Sequence, residues 1–162
     1  MNLEDTQGED PNTLIDLATQ TAIIRSIRDV HLPIVLNART DIYLAGIGDP
    51  ATRFAHTVER LNAYREAGAD CLFAPGIRDA ETIAGLARDV HGPLNILASV
   101  GGLPAGELQR LGVARMSIGS GPARATLGLV RRIARELREQ GSYQTMLDGQ
   151  IPYAEINQMF KR

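Results

Sequence analysis

Short apolar runs closed by small or polar residues recur along this chain, and they alternate with longer stretches in which apolar residues return every three or four positions. Pro33-Ile34-Val35 leads into Leu36-Asn37-Ala38-Arg39-Thr40-Asp41, and Ala69-Asp70-Cys71-Leu72-Phe73-Ala74 closes on Pro75-Gly76. Pro93-Leu94-Asn95-Ile96-Leu97-Ala98 and Val113-Ala114-Arg115-Met116-Ser117-Ile118 follow the same plan. Runs of this kind read as buried parallel strands. Between them, Leu14, Leu17, Ala18, Thr21, Ile24 and Ile27 mark one face of a helix over 14–28, with Pro11-Asn12-Thr13 as its cap. Asp49-Pro50 opens a second helix, carried by Phe54, Val58 and Leu61 to a stop at Gly68. Asp79-Ala80-Glu81-Thr82 starts a third, which ends at His91-Gly92-Pro93. A short fourth over 104–111 stops at Gly112, and a long fifth runs over about 122–140. Strand and helix alternate with a period of roughly 25 to 35 residues, the period of βα units. In parallel α/β folds the chemistry sits at the C-terminal ends of the strands, which makes 36–41 the leading candidate segment.

Composition narrows the picture without redirecting it. The 162 residues are 44% hydrophobic and show no linker, low-complexity segment or change of composition, so a single globular domain over 1–162 is expected. The net charge of -2 points to no particular partner. Lys161 is the only lysine, and the arginines form no basic block, which argues against a nucleic-acid partner. Cys71 is the only cysteine and lies in an apolar run, so an internal disulfide is excluded and a core position fits better than a catalytic thiol. A lone thiol also fits a reducing cytoplasm. No stretch approaches the roughly 20 apolar residues of a membrane span, and the acidic start lacks the character of a signal peptide. A cytoplasmic protein with no membrane partner is the expectation.

Five segments carry a family resemblance. Asn37-Ala38-Arg39-Thr40-Asp41, Ala67-Gly68-Ala69-Asp70 with Phe73-Ala74-Pro75-Gly76, Pro93-Leu94-Asn95, and Leu111-Gly112-Val113-Ala114-Arg115-Met116-Ser117 resemble the second half of the isocitrate lyase and phosphoenolpyruvate mutase superfamily. Asn2-Leu3-Glu4-Asp5 is similar to that family's fourth barrel strand. The resemblance implies a partial (β/α)8 barrel, strands four to eight, with the N-terminal strands missing; a complete barrel takes about 250 residues. It also implies a Mg2+-dependent lyase or mutase that acts next to a 2-keto or 2-hydroxy acid through an enolpyruvate-like intermediate. The family's main Mg2+ ligands come from its third strand, so they are expected to be absent from this chain, which alone is expected to be incomplete as a catalyst.

Residue by residue, the resemblance assigns Glu4 to a metal-bound water, Arg39 to a substrate carboxylate or phosphonate, and Asn95 to a substrate oxygen. The planar fork of an arginine suits bidentate pairing with such anions. The bland alternatives are a solvated carboxylate for Glu4 and a rim salt bridge from Arg39 to Asp41 or Glu4. Asn37 shares a strand face with Arg39 and would either line the same mouth or order the strand end. Asp41 would orient Arg39 or cap the following loop, and Asp5, on the opposite side of its strand from Glu4, reads as structural. Two departures narrow the substrate. No acidic residue follows Asn95 in Ala98-Ser99-Val100-Gly101-Gly102, and Thr6-Gln7-Gly8-Glu9-Asp10 has none of the Lys-Cys-Gly-His character of the lyases' catalytic loop. The pattern is closer to the oxaloacetate decarboxylase-like and phosphonopyruvate-type branch.

Gly119-Ser120-Gly121 reads as a tight turn in preference to an anion site. His31, His56 and His91 lack metal-ligand spacing and are assigned to no site. The segment 141–162 is rich in apolar residues and, since family members exchange C-terminal helices, reads as an oligomer contact. A five-strand piece of a barrel also leaves two sheet edges open, which favours self-association into a homo-oligomer. Two other architectures or roles stay open: a flavodoxin-like doubly wound binding module, and an inactive relative of the family that acts through oligomer formation.

Overall fold

In chain order the elements are β1 (Asn2–Glu4), β2 (Thr6–Gln7), β3 (Asp10–Leu14), α1 (Leu17–Asp29), β4 (Asn37–Arg39), α2 (Arg53–Glu66), β5 (Cys71–Phe73), α3 (Ala80–Asp89), β6 (Leu94–Leu97), α4 (Ala105–Arg110) and β7 (Arg115–Ser117), followed by α5 (Gly121–Gln140), α6 (Gln144–Leu147) and α7 (Tyr153–Met159). This computed structural model describes residues 1–8 and 10–161. Glu9 of the segment 6–10 and Arg162 of the segment 141–162 lie outside the described residues. The chain divides into two units, Met1–Gly119 and Ser120–Arg162.

The first unit is built on a parallel sheet in the order β1-β4-β5-β6-β7. Each new strand joins the same side of the last, with no reversal. A doubly wound sheet reverses its strand order at a switch point, so this order is an arc of a barrel and not a flavodoxin-like module. The period of two assigns the faces. Leu36, Ala38, Leu72, Ala74, Leu94 and Ile96 point to the side packed by helices and join Ile24, Leu61, Tyr64, Ile83 and Leu86 in one buried core. The intervening residues Asn37, Arg39, Cys71, Phe73 and Asn95 occupy the other side, the inner face of the arc.

Two helix starts differ from the periodicity reading. The apolar pattern places the first helix at Leu14, but Leu14 pairs with Thr6 in an antiparallel ribbon, and α1 begins at Leu17. Local hydrogen bonds decide this: Asp10 accepts from the Asn12 N–H at 2.9 Å and from the Thr13 hydroxyl, a turn that competes with helix, and Ile15 N–H donates to the Asp5 carbonyl at 2.7 Å. The actual cap is Asp16, whose carboxylate accepts the Thr19 N–H at 2.9 Å. At Asp49-Pro50 the chain makes a turn, in which Asp49 accepts the Ala51 N–H at 2.9 Å, before α2 starts at Arg53. Asp79 does cap α3, accepting the Thr82 N–H at 2.8 Å.

In the second unit, α5 runs to Gly141, whose positive φ of 65° ends it as glycine allows. Glu136 then folds back on the next turn. Its carboxylate accepts the Ser142 hydroxyl, the Gln144 N–H at 2.7 Å and the Thr145 N–H at 2.9 Å, and so caps α6. These bonds, the Ser142 one foremost, hold the Glu136 carboxyl down to about 2. A depressed carboxyl contributes its stability above its ordinary value of 4.5 and loses it as pH falls through about 2. We therefore expect the Gln144 and Thr145 amide resonances to titrate together below about pH 4; amides that stay fixed to the acid limit would contradict the cap. No helix among the described residues is long and apolar enough to cross a membrane.

Candidate functional site

The register of the sheet sets polar residues from four strands side by side on the inner face. Asn2, Asn37 and Cys71 form one row, and Glu4, Arg39, Phe73, Asn95 and Arg115 form the next towards the C-terminal ends. Side chains on one face of a parallel sheet are close enough to bond, along a row or from one row to the next, and these do. Asn95 Nδ2 donates to the Ser117 hydroxyl at 2.9 Å and, more weakly, to Asn37 Oδ1 at 3.4 Å. Asn37 Nδ2 donates to Asn2 Oδ1 at 2.8 Å, and Asn2 Nδ2 to Glu4 Oε1 at 3.2 Å. The amides therefore form a ladder from β7 to β1 that ends on a carboxylate.

Arg39 closes the top of this ladder. Its Nε donates to Asp41 Oδ1 at 2.6 Å, one Nη to Asp41 Oδ2 at 3.1 Å, and the other Nη to Glu4 Oε1 at 2.6 Å. The guanidinium also lies over the Phe73 ring, 5.7 Å from its centroid. Both rim salt bridges are thus formed, and three of the five N–H groups are engaged among the described residues. Exposure separates the roles. Asn95 and Asn37 are buried, whereas the Arg39 side chain keeps 17% of its surface in solvent and Glu4 keeps 47%. A ligand entering the mouth meets Arg39 and Glu4 first, with the asparagines beneath them.

The two carboxylates beside Arg39 hold the guanidinium plane at a fixed angle, and Asp41 is itself buried. Asp41 therefore orients Arg39, one of the two roles open to it in the sequence. Asp5, fully buried on the helix side, accepts Arg60 Nε at 2.8 Å, the Tyr64 hydroxyl at 2.6 Å and the Asp41 backbone N–H at 3.0 Å. Burial, and then the Asp5 carboxylate, push the Tyr64 phenol upward, so it remains a donor. Cys71 is buried on the inner face, and burial raises its thiol while Arg115 opposes the rise. A raised thiol is a poor nucleophile, in keeping with a packing role.

Asn2, Phe73 and Ser117 complete the site but were not singled out as site residues in the sequence. Asn2 and Ser117 each stand two residues from another inner-face position, and this alternation is the signal that could have found them. Their pairing depends on strand register, which no single strand reveals. His56 lines a separate cavity of about 270 Å³ with Leu14, Leu17, Ile42 and Ile47, away from the ladder. Gly119 takes a φ of 50°, as a turn requires. Among the described residues no group of three histidine, cysteine, aspartate or glutamate side chains could hold a metal ion.

A consecutive parallel arc whose inner mouth presents a clamped arginine, a carboxylate and buried amides defines a barrel-type α/β protein. The chain belongs to the phosphoenolpyruvate phosphomutase family, whose profile matches residues 1–138. An uncharacterized protein of Mycobacterium tuberculosis strain H37Rv is 35% identical over 156 residues, which are 96% of this chain and 56% of that protein. A crystal structure from Burkholderia cenocepacia J2315, described only as that of a lyase/mutase, superposes with a TM-score of 0.86 at 38% identity and covers 98% of this chain and 58% of its own. Phosphonopyruvate hydrolase, solved with oxalate and Mg2+, shares the fold with a TM-score of 0.78 at 22% identity over 98% of this chain and 57% of that one. The chain thus spans a little over half the length of the relatives it matches, and its fold is part of a phosphoenolpyruvate mutase/isocitrate lyase barrel.

Proposed function

We propose that this chain carries the carboxylate-holding side of the active site of a Mg2+-dependent lyase or mutase, one that breaks or forms a C–C or C–P bond next to a small 2-keto or 2-hydroxy acid. The observation that supports this reading is the placement of Arg39 at the C-terminal end of β4, clamped between Glu4 and Asp41 with two N–H groups uncommitted. A guanidinium already oriented in this way loses little freedom when a carboxylate or phosphonate arrives. Asn95 and Asn37 lie behind it. The 3.4 Å bond between them is the weakest rung, so their amides are the ones to turn toward a substrate oxygen, where a donor stabilises the negative charge of an enolate-like transition state.

The side chains on this chain do not by themselves fit a Mg2+ ion, which prefers an octahedral set of oxygens and keeps several waters. They fit one outer contact: Glu4, whose Oε1 is taken by Arg39 and Asn2, has its other oxygen to accept from a metal-bound water. When bound, the ion supplies Lewis-acid stabilisation of the developing oxyanion. We assign its direct ligands to the part of the family's barrel that these five strands do not make.

Oxalate, the anion bound in the phosphonopyruvate hydrolase structure, is the probe of choice. Calorimetric titration is expected to show one oxalate per chain, with Mg2+ and without it, since the side chains that bind the anion are on this chain and the ion's direct ligands are not. A cooperatively folding protein that gives no oxalate heat in either condition would overturn the reading. Light scattering on the same sample bears on the segment 141–162, where Tyr153, Met159 and Phe160 are exposed. We read that segment as a contact with a second copy, so the expected mass is a multiple of 17.5 kDa.

A further inference from the structure

We infer that Asp5 is a positioning residue for Arg39, acting from the opposite side of the sheet. The contacts form a closed ring. Asp5 Oδ1 accepts the Asp41 N–H at 3.0 Å, the Asp41 carboxylate takes Arg39 through two bonds, and Arg39 reaches Glu4 Oε1 at 2.6 Å. Glu4 is peptide-bonded to Asp5, which completes the circuit. The Thr6 hydroxyl also reaches Asp41 Oδ2, at a long 3.4 Å, and the link through Asp5 holds the two strand ends in one register by way of a carboxylate with no exposure to water.

The other oxygen of Asp5 shows how the carboxylate is itself held. Oδ2 accepts both Arg60 Nε and the Tyr64 hydroxyl, and Arg60 also donates to the Ile15 carbonyl at 2.6 Å. Gln20 Nε2 donates to the Glu4 carbonyl at 3.1 Å, which fixes the backbone between the two acidic residues. Helices α1 and α2 thus anchor Asp5, Asp5 fixes the Asp41 amide, and Asp41 aims Arg39. An asparagine at position 5 cannot serve both sides: its single acceptor oxygen meets either the Asp41 N–H or the Arg60 and Tyr64 donors, and its amide group faces the remaining donors. Positioning rests on this geometry alone, whereas its consequence for a ligand rests on the role proposed above for Arg39.

The test is hydrogen exchange of the Arg39 Nε–H and the Asp41 backbone N–H, followed by NMR in the full chain. In the wild type the two protons are expected to exchange through one opening event, with equal protection and equal response to low denaturant. Asp5→Asn is expected to lower protection of the Arg39 Nε–H by roughly tenfold or more while the β5 amides keep theirs. Tyr64→Phe, which removes a bond to Oδ2 but leaves Oδ1 on Asp41, is expected to lower the melting temperature and leave Arg39 protected. An Asp5→Asn protein with wild-type protection at Arg39 would overturn the inference, as would an equal loss in Tyr64→Phe. If Asp5→Asn does not fold, the wild-type measurement decides, since an Arg39 Nε–H that opens independently of the Asp41 amide overturns it as well. Oxalate titration is a separate readout: coupled exchange in a chain that binds no oxalate supports the positioning and overturns the functional reading.

Discussion

Arg39→Lys weakens oxalate binding by roughly 30-fold or more, and Arg39→Gln removes measurable binding, because truncating one partner of a hydrogen-bonded charge pair costs about 2–5 kcal/mol and each 1.4 kcal/mol is tenfold. The lysine keeps the charge but not the fork. It cannot grip both oxygens of Asp41 while reaching Glu4, so the ammonium settles on one carboxylate and presents no plane to the ligand. The glutamine goes further and leaves the buried Asp41 carboxylate facing Glu4 without a counter-charge, a cost that appears in stability as well as in affinity. Calorimetry of both variants separates the effects, provided each still unfolds in one cooperative transition above the temperature of the titration. A lysine variant that binds oxalate as the parent does would show that charge alone, and not the oriented guanidinium, holds the anion.

Gly76→Ala lowers stability by about 3 kcal/mol, which for a chain of this size moves the melting temperature by roughly 6–12 °C. Two independent effects add. Gly76 has a φ of 94°, a conformation that L side chains rarely adopt, and a Cβ there would lie 2.7 Å from Leu44 Cα and N and 2.9 Å from the Tyr43 carbonyl carbon. These are backbone atoms, so no rotamer change can relieve the contact. The turn after β5 presses on the loop that leaves Asp41, and relief by backbone movement would disturb the Arg39 clamp. Scanning calorimetry gives the stability, and the Arg39 Nε–H resonance shows whether the clamp has moved. A melting temperature within 2 °C of the wild type would mean that the two loops separate freely.

The strands were legible because a buried parallel strand is written locally: Cys71-Leu72-Phe73 and Leu94-Asn95-Ile96-Leu97 are apolar runs between breakers. Helix ends were less so. Leu14 has the helical spacing of Leu17 and Ile24, yet it pairs with Thr6, because Asp10 captures Asn12 and Thr13 and the strand Asn2–Glu4 ends beside it. A period of 3.6 cannot detect a partner strand eight residues away. Arg39 and Asp41 were readable together, since Asp41 follows two residues after the arginine where the strand ends. Asn2 and Ser117 were readable as inner-face positions by their spacing of two, but their bonds to Asn37 and Asn95 were not, since those run between strands. Asp5 was readable as facing the helices and hence as structural, but its bond to the Asp41 amide was out of view.

The amino-acid order by itself determined the βα alternation, the side of each strand that packs on helices, and the residue types offered to the inner face, because these follow from periodicities of two and 3.6 and from the turn chemistry of Asp, Gly and Pro. Only the tertiary structure decided the strand order β1-β4-β5-β6-β7, the rows that bring Glu4, Arg39, Phe73 and Asn95 together, and the division of labour between buried amides and a partly exposed arginine. Those features depend on register between segments some 20 to 35 residues apart. They are settled by packing the whole sheet at once, and a shift of one residue in any strand would turn its polar face into the core.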